Sequence, residues 1–145
     1  MVIIPPEVWS KMLDHCAAGL PNEACGLFAG MINDDGSKSC VEAYCLNNLD
    51  ASPEHFSMAP DEQFAAVAHM RENGLTLLGN FHSHPNSPAR PSQEDINLAF
   101  DPALSYVIIS FAEKEPYGRS FSINKRLNEV SEEEFHCKSV GPDGN

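Results

Sequence analysis

Residues 105–112 read Ser-Tyr-Val-Ile-Ile-Ser-Phe-Ala, a continuously apolar, β-branched run. Such a run is a strand, and its neighbours in the chain fix the fold class. Upstream, "EACGLFAGMI" from Glu23 is short, apolar and turn-bounded, as a buried strand is. Asp34-Asp35-Gly36 is a hairpin signal, so a strand over 38–46 pairs back antiparallel. "LTLLGNFHSH", residues 75–84, is another strand, and "GRSFSINKR" from Gly118 a further one, joined through a Pro116/Gly118 turn. Helices fall between them. Pro5-Pro6 opens the first, where Val8, Trp9, Met12, Leu13 and Cys16 recur at helical spacing until Gly19. Past Pro60, acids in the first turn precede Phe64, Val67, Ala68 and Arg71, and Gly74 stops the helix. A short helix of about nine residues is expected from Ser92, and residues 49–60 are irregular. Strands interleaved with three helices around one sheet make an α/β or α+β single domain. At 145 residues the chain is one domain, set at 1–135, with a frayed tail from 136.

Charge narrows the function classes. Nine basic against twenty-one acidic residues give a net charge of −12, the wrong balance for wrapping a polyphosphate, so no nucleic-acid partner is expected. No apolar run reaches the ~18 residues of a membrane helix, and "MVIIPPEVWSK" has no basic leader, so neither membrane nor secretory signal is expected. Five cysteines, an odd count with no C-x-x-C, point to free thiols in the cytoplasm.

The chemistry concentrates in "GNFHSHPNSPARPSQED". His82 and His84, two apart in a strand, project from one face. Three prolines stiffen the loop that follows, so the helix after it returns to a fixed place with Asp95 in its first turn. Two imidazoles and one carboxylate leave a fourth tetrahedral position open, the layout of a catalytic zinc. Ser92 to Asp95 is also Ser-x-x-Asp, a capping box, and local chemistry alone makes Ser92 a cap. A catalytic water needs a base, and Glu23, at the mouth of a strand, is the most suggestive of the acids. On local grounds alone an exposed strand-end residue is the favoured reading of it. Cys25, two residues on, shares that face and reads as a small core residue. His55 and His69 have no partner at ligand spacing, and His136 and Cys137 fall in the tail.

His-x-His, seven residues, Ser, two residues and Asp resembles the JAMM (MPN+) metalloprotease motif. "NEACGLFAG" is similar to the family's first-strand segment, and "EHFSMAPDEQ" to the segment before the second helix of small prokaryotic members. The resemblance covers about residues 1–126. It implies a mixed β-sheet flanked by helices, the cytidine-deaminase-like α/β arrangement, although the deaminase signature itself is missing. It also implies one Zn²⁺ per chain held by His82, His84 and Asp95, with Glu23 as general base and Ser92 as oxyanion donor. The implied reaction is hydrolysis of a peptide or isopeptide bond. Small prokaryotic members act at the C-terminal Gly-Gly of ubiquitin-like, β-grasp sulfur-carrier proteins, removing an extension or releasing an amino acid. A general small-peptide peptidase and a catalytically silent scaffold of the same fold are the competing readings.

Overall fold

The computed structural model describes residues 1–137. In chain order its elements are β1 (Val2–Ile4), α1 (Pro6–Gly19), β2 (Cys25–Ile32), β3 (Lys38–Leu46), α2 (Pro60–Glu72), β4 (Thr76–His84), α3 (Gln93–Asn97), β5 (Ser105–Ser110), β6 (Tyr117–Asn124), β7 (Glu129–Glu133) and β8 (Phe135–Cys137). The strands form one mixed sheet in the order β7-β6-β5-β4-β2-β3-β1-β8. β4 and β5 run parallel, with Gly79 opposite Ser105, while β2 is antiparallel to both β3 and β4. The single-domain α/β expectation holds, and among the described residues no helix is long and apolar enough to cross a membrane.

The two ends of that order, β7 and β8, are consecutive in sequence and separated by Glu134 alone. One segment therefore pairs with β6 through its first half and with β1 through its second, and the sheet curls around α1. Trp9 of α1 marks the closure: its ring meets Phe135 of β8 edge-on at 5.7 Å. Val2, Ile4, Val8, Trp9, Met12, Cys16, Phe28, Phe81, Val107 and Ile109 make the core on this inner face. The outer face carries two smaller clusters. Leu27, Ala29 and Leu46 receive Ala66 and Met70 of α2, and Ala89, Ala99, Tyr106, Ile108, Phe121 and Ile123 pack beneath the loop that holds α3.

A β-bulge sets which face the motif occupies. Phe28 opposes Gly79 but Ala29 opposes Leu77, so β4 carries one extra residue there. An extra residue reverses the in–out alternation beyond it. Leu77 thus packs outward with α2, and His82 and His84, of opposite parity, also face outward, while Phe81 points in to α1. Gly79 occupies the tightest point. A Cβ there would stand 1.9 Å from the Ser105 carbonyl oxygen and 2.8 Å from Phe28. Gly79→Ala is therefore expected to destabilise the fold by about 3 kcal/mol or more, measurable by chemical denaturation.

Several expectations change against the structure. α2 buries Ala66 and Met70 against Leu27, Ala29 and Leu46, while Phe64 on another face is 76% exposed. α3 is five residues long, not nine; Asp101 precedes Pro102, which disfavours helix there, and Ala99 turns into the outer core. β1, β7 and β8 carried no usable sequence signal, being short or exposed. The boundary placed at 135/136 falls inside β8, where Ile3 opposes His136, so a frayed tail beginning at 136 is corrected. The remainder of that tail lies outside the described residues.

Candidate active site

β4 ends at His84, and both histidines of the motif are buried there on the outer face. His82 Nε2 lies 3.1 Å from His84 Nε2 and 3.2 Å from Asp95 Oδ2, and His84 Nε2 lies 3.1 Å from the same oxygen. Tetrahedral bonds of ~2.0–2.1 Å to nitrogen and oxygen place ligand atoms about 3.3 Å apart, close to this triangle. Tautomer control agrees. His84 Nδ1 donates to the Pro88 carbonyl at 2.9 Å, which leaves the Nε2 lone pair of a neutral ring directed at the triangle. Among the described residues, His82, His84 and Asp95 are the one group able to hold a metal ion.

Asp95 is delivered by α3. Ser92 is its N-cap: Ser92 Oγ accepts from the Asp95 amide at 3.0 Å, and the Ser92 amide donates to Asp95 Oδ2 at 2.9 Å. This reciprocal capping box fixes the carboxylate against the end of β4. Burial raises the Asp95 pKa, but its contacts with the two imidazoles win and hold the carboxyl well below the usual range. His84 is pushed down by burial and then raised on balance by its hydrogen bonds to Asp95 and Pro88, whereas burial dominates at His82 and lowers it. A buried, ionised carboxylate converging with two ring nitrogens favours positive charge at their centre.

Glu23 stands just before β2, 6% exposed, with Oε1 lacking a hydrogen-bond partner. It is therefore not the exposed strand-end acid that local reasoning allows. Burial, then the charge of Asp95, raises its pKa to about 7 against the opposing pull of His84. A carboxyl poised there exchanges a proton readily near neutrality. The backbone around it is pinned: its amide donates to the Ser52 carbonyl at 2.8 Å, and Asn48 Nδ2 donates to its carbonyl at 2.9 Å. Glu23, His84 and Ser92 share one cavity of about 300 Å³, walled by Pro53, Glu54, Asn86 and Ser87. A larger cavity of about 560 Å³, between α1, β3 and α2, has none of the motif residues in its wall.

The sequence alone did not place the 48–58 loop in the site. Phe56 stacks on the His82 ring at 4.6 Å, and His55 pairs with Glu94 of α3, tying this loop across the metal-capable group. Asn48 organises the loop, with Oδ1 accepting from the amides of Asp50 and Ser57 and Nδ2 donating to the His55 carbonyl. The irregular stretch expected over 49–60 marked a loop there, but nothing in it fixed where the loop would lie. His69 is exposed on α2 and bonded to the Tyr44 hydroxyl. All five cysteines are free, and burial pushes the Cys25 thiol up to about 12, so it is a core residue although it lies opposite His82.

Comparisons with known proteins agree with this geometry. The family model described as prokaryotic homologs of the JAB domain matches residues 5–124. A solution structure of a protein from Desulfitobacterium hafniense is 53% identical and covers 96% of this chain and 94% of its own, with a TM-score of 0.85. A "CysO-cysteine peptidase" of Mycobacterium tuberculosis is 28% identical over 76% of this chain and 73% of its own length. A "Desampylase" of Haloferax volcanii is 30% identical over 72% and 73%. With a model spanning most of its length and the motif's side chains converging in one site, the chain belongs to the prokaryotic JAB family, the small prokaryotic branch of the JAMM/MPN proteins.

Proposed function

We propose that this protein is a zinc-dependent peptidase that hydrolyses the amide bond after the C-terminal Gly-Gly of a ubiquitin-like sulfur-carrier protein. The observation that carries the reading is the triangle of His82, His84 and Asp95 beside the buried, unpartnered carboxyl of Glu23. His82, His84 and Asp95 are the ligands, and the ligand set of two imidazoles and one carboxylate with an open position favours zinc. Bound there, zinc supplies Lewis acidity, polarising a carbonyl and bringing the pKa of a water toward ~7. Glu23 takes the proton of the attacking water at its carboxylate and returns it to the leaving amine. Ser92 Oγ already accepts from the Asp95 amide, so its own hydrogen is free to donate to the oxyanion that develops on the scissile carbonyl.

Ser92→Ala is expected to lose roughly a hundredfold in turnover with its zinc retained, and about 1 kcal/mol of stability from the lost cap. Ser92→Thr keeps a hydroxyl and is expected to recover most of both; kinetics with metal analysis checks this. Relatives named for CysO-cysteine, sampylated and TtuB-conjugated substrates support the carrier class. Five free thiols support a cytoplasmic setting. The experiment is incubation of the zinc-loaded protein with small β-grasp carriers whose Gly-Gly is extended or conjugated. A mass loss at the carrier C-terminus is expected; no loss from any of several carriers overturns the substrate assignment.

A further inference from the structure

Asn48 Nδ2 donates twice, to the Glu23 carbonyl at 2.9 Å and to the His55 carbonyl at 2.8 Å. Its Oδ1 accepts twice, from the amides of Asp50 at 3.0 Å and Ser57 at 3.1 Å. An asparagine side chain offers two donor hydrogens and two acceptor lone pairs, so its capacity is filled. Aspartate lacks the donors, and glutamine carries the same amide one methylene further out. The partners lie on two sides of the site. Glu23 precedes β2, and its amide donates to the Ser52 carbonyl, so the 48–58 loop grips this residue at both its amide and its carbonyl. On the other side His55 reaches Glu94, next to Asp95 on α3, and Phe56 lies on the ring of His82 at 4.6 Å. One carboxamide thus joins the backbone of Glu23 to the segment that rests on the metal-capable group. The start of β2 is secured separately: the Ala24 amide donates to Ser83 Oγ at 2.9 Å, and the Ser83 amide to the Ala24 carbonyl at 3.0 Å. Loss of Asn48 therefore leaves the sheet in place.

We propose that Asn48 is a positioning residue for the hydrolytic reaction: through the 48–58 loop, and without touching substrate, it sets the reach from the Glu23 carboxyl to the group formed by His82, His84 and Asp95. The inference rests on the peptidase reading above and deepens it. Proton transfer tolerates little slack, and a displacement of about 1 Å costs on the order of a hundredfold in rate. The four partners of Asn48 include none of the three metal-capable side chains, so its removal is expected to loosen the base and leave zinc binding intact.

The test is a double-mutant cycle on the zinc-loaded protein, with a β-grasp carrier whose Gly-Gly bears a one-residue extension as substrate. Asn48→Ala is expected to lower kcat about 10- to 100-fold, with KM within about threefold of the wild type and zinc retained. In Glu23→Gln, where no base remains to be aimed, the same substitution is expected to change kcat by about threefold or less. A residue that only stabilises the loop gives equal losses in both backgrounds, or raises KM by loosening the cavity wall at Pro53 and Glu54. Either result overturns the inference. Asn48→Asp keeps both acceptor bonds, and with them the turn, but loses both donors. It is expected to lose kcat as Asn48→Ala does, and wild-type turnover in it also overturns the inference. Circular dichroism and metal analysis accompany each variant; if Asn48→Ala does not fold, the cycle is run with Asn48→Asp. Full activity in Glu23→Gln, or no cleavage by the wild type, fells the peptidase reading and this inference with it. A large loss in Glu23→Gln beside unchanged kcat in both Asn48 variants overturns this inference alone.

Discussion

Asp95→Asn is expected to bind no zinc at micromolar metal and to lose at least ~10⁴-fold in turnover, while remaining folded. The size would follow from losing the Lewis acidity and water activation that a zinc ion held at this site would supply. Folding is spared because an asparagine carbonyl oxygen still accepts from the Ser92 amide, as Asp95 Oδ2 does at 2.9 Å, so the α3 cap persists. The negative charge that would balance the metal is lost, and with it the interaction that both imidazoles make with that oxygen at 3.1 and 3.2 Å. Metal analysis, circular dichroism and a hydrolysis assay on one preparation separate loss of zinc from loss of fold. A variant that keeps one equivalent of zinc would remove Asp95 from the ligand set.

Glu23→Gln is the second large effect, with the opposite metal outcome. Glutamine fills the same space but neither takes nor returns a proton, so turnover is expected to fall by about 10²–10⁴-fold with zinc content unchanged. Retained activity would rule out Glu23 as the base. The same variant carries a stability signature in zinc-free protein. Burial raises the Glu23 pKa from the ordinary 4.5 to about 7. Between those values the folded state holds a proton that the unfolded state has lost, so stability falls as pH rises through this window. Denaturation at pH 5 and pH 8 is expected to show a smaller loss of stability in Glu23→Gln than in the wild type.

The parts of this site that were legible in the sequence are those fixed by local periodicity. His82 and His84 share a face because strand side chains alternate, and Asp95 lies in the first turn of a helix because Ser92 caps it. Glu23 was harder. Its burial depends on the 48–58 loop, whose shape is set by four hydrogen bonds to the Asn48 side chain and not by any pattern in its own residues. The stack of Phe56 on His82 was invisible for the same reason. Fold class was legible because β2 through β6 carry apolar runs and are interleaved with α2 and α3. Closure of the sheet was not, since β7 reads Glu-Val-Ser-Glu-Glu, largely exposed, and is held by pairing with β6 and not by burial. On α2 the helix itself was legible, but the spacing of Phe64, Val67, Ala68 and Arg71 did not single out Ala66 and Met70, the residues that it buries.

Titration of metal-free protein with zinc, followed by calorimetry and by metal analysis after dialysis, is the direct measurement. One equivalent per chain, bound at micromolar or tighter affinity and abolished by substitution of His82, His84 or Asp95, is the expected result. Binding that is substoichiometric, or that survives loss of all three side chains, would contradict the assignment of this site.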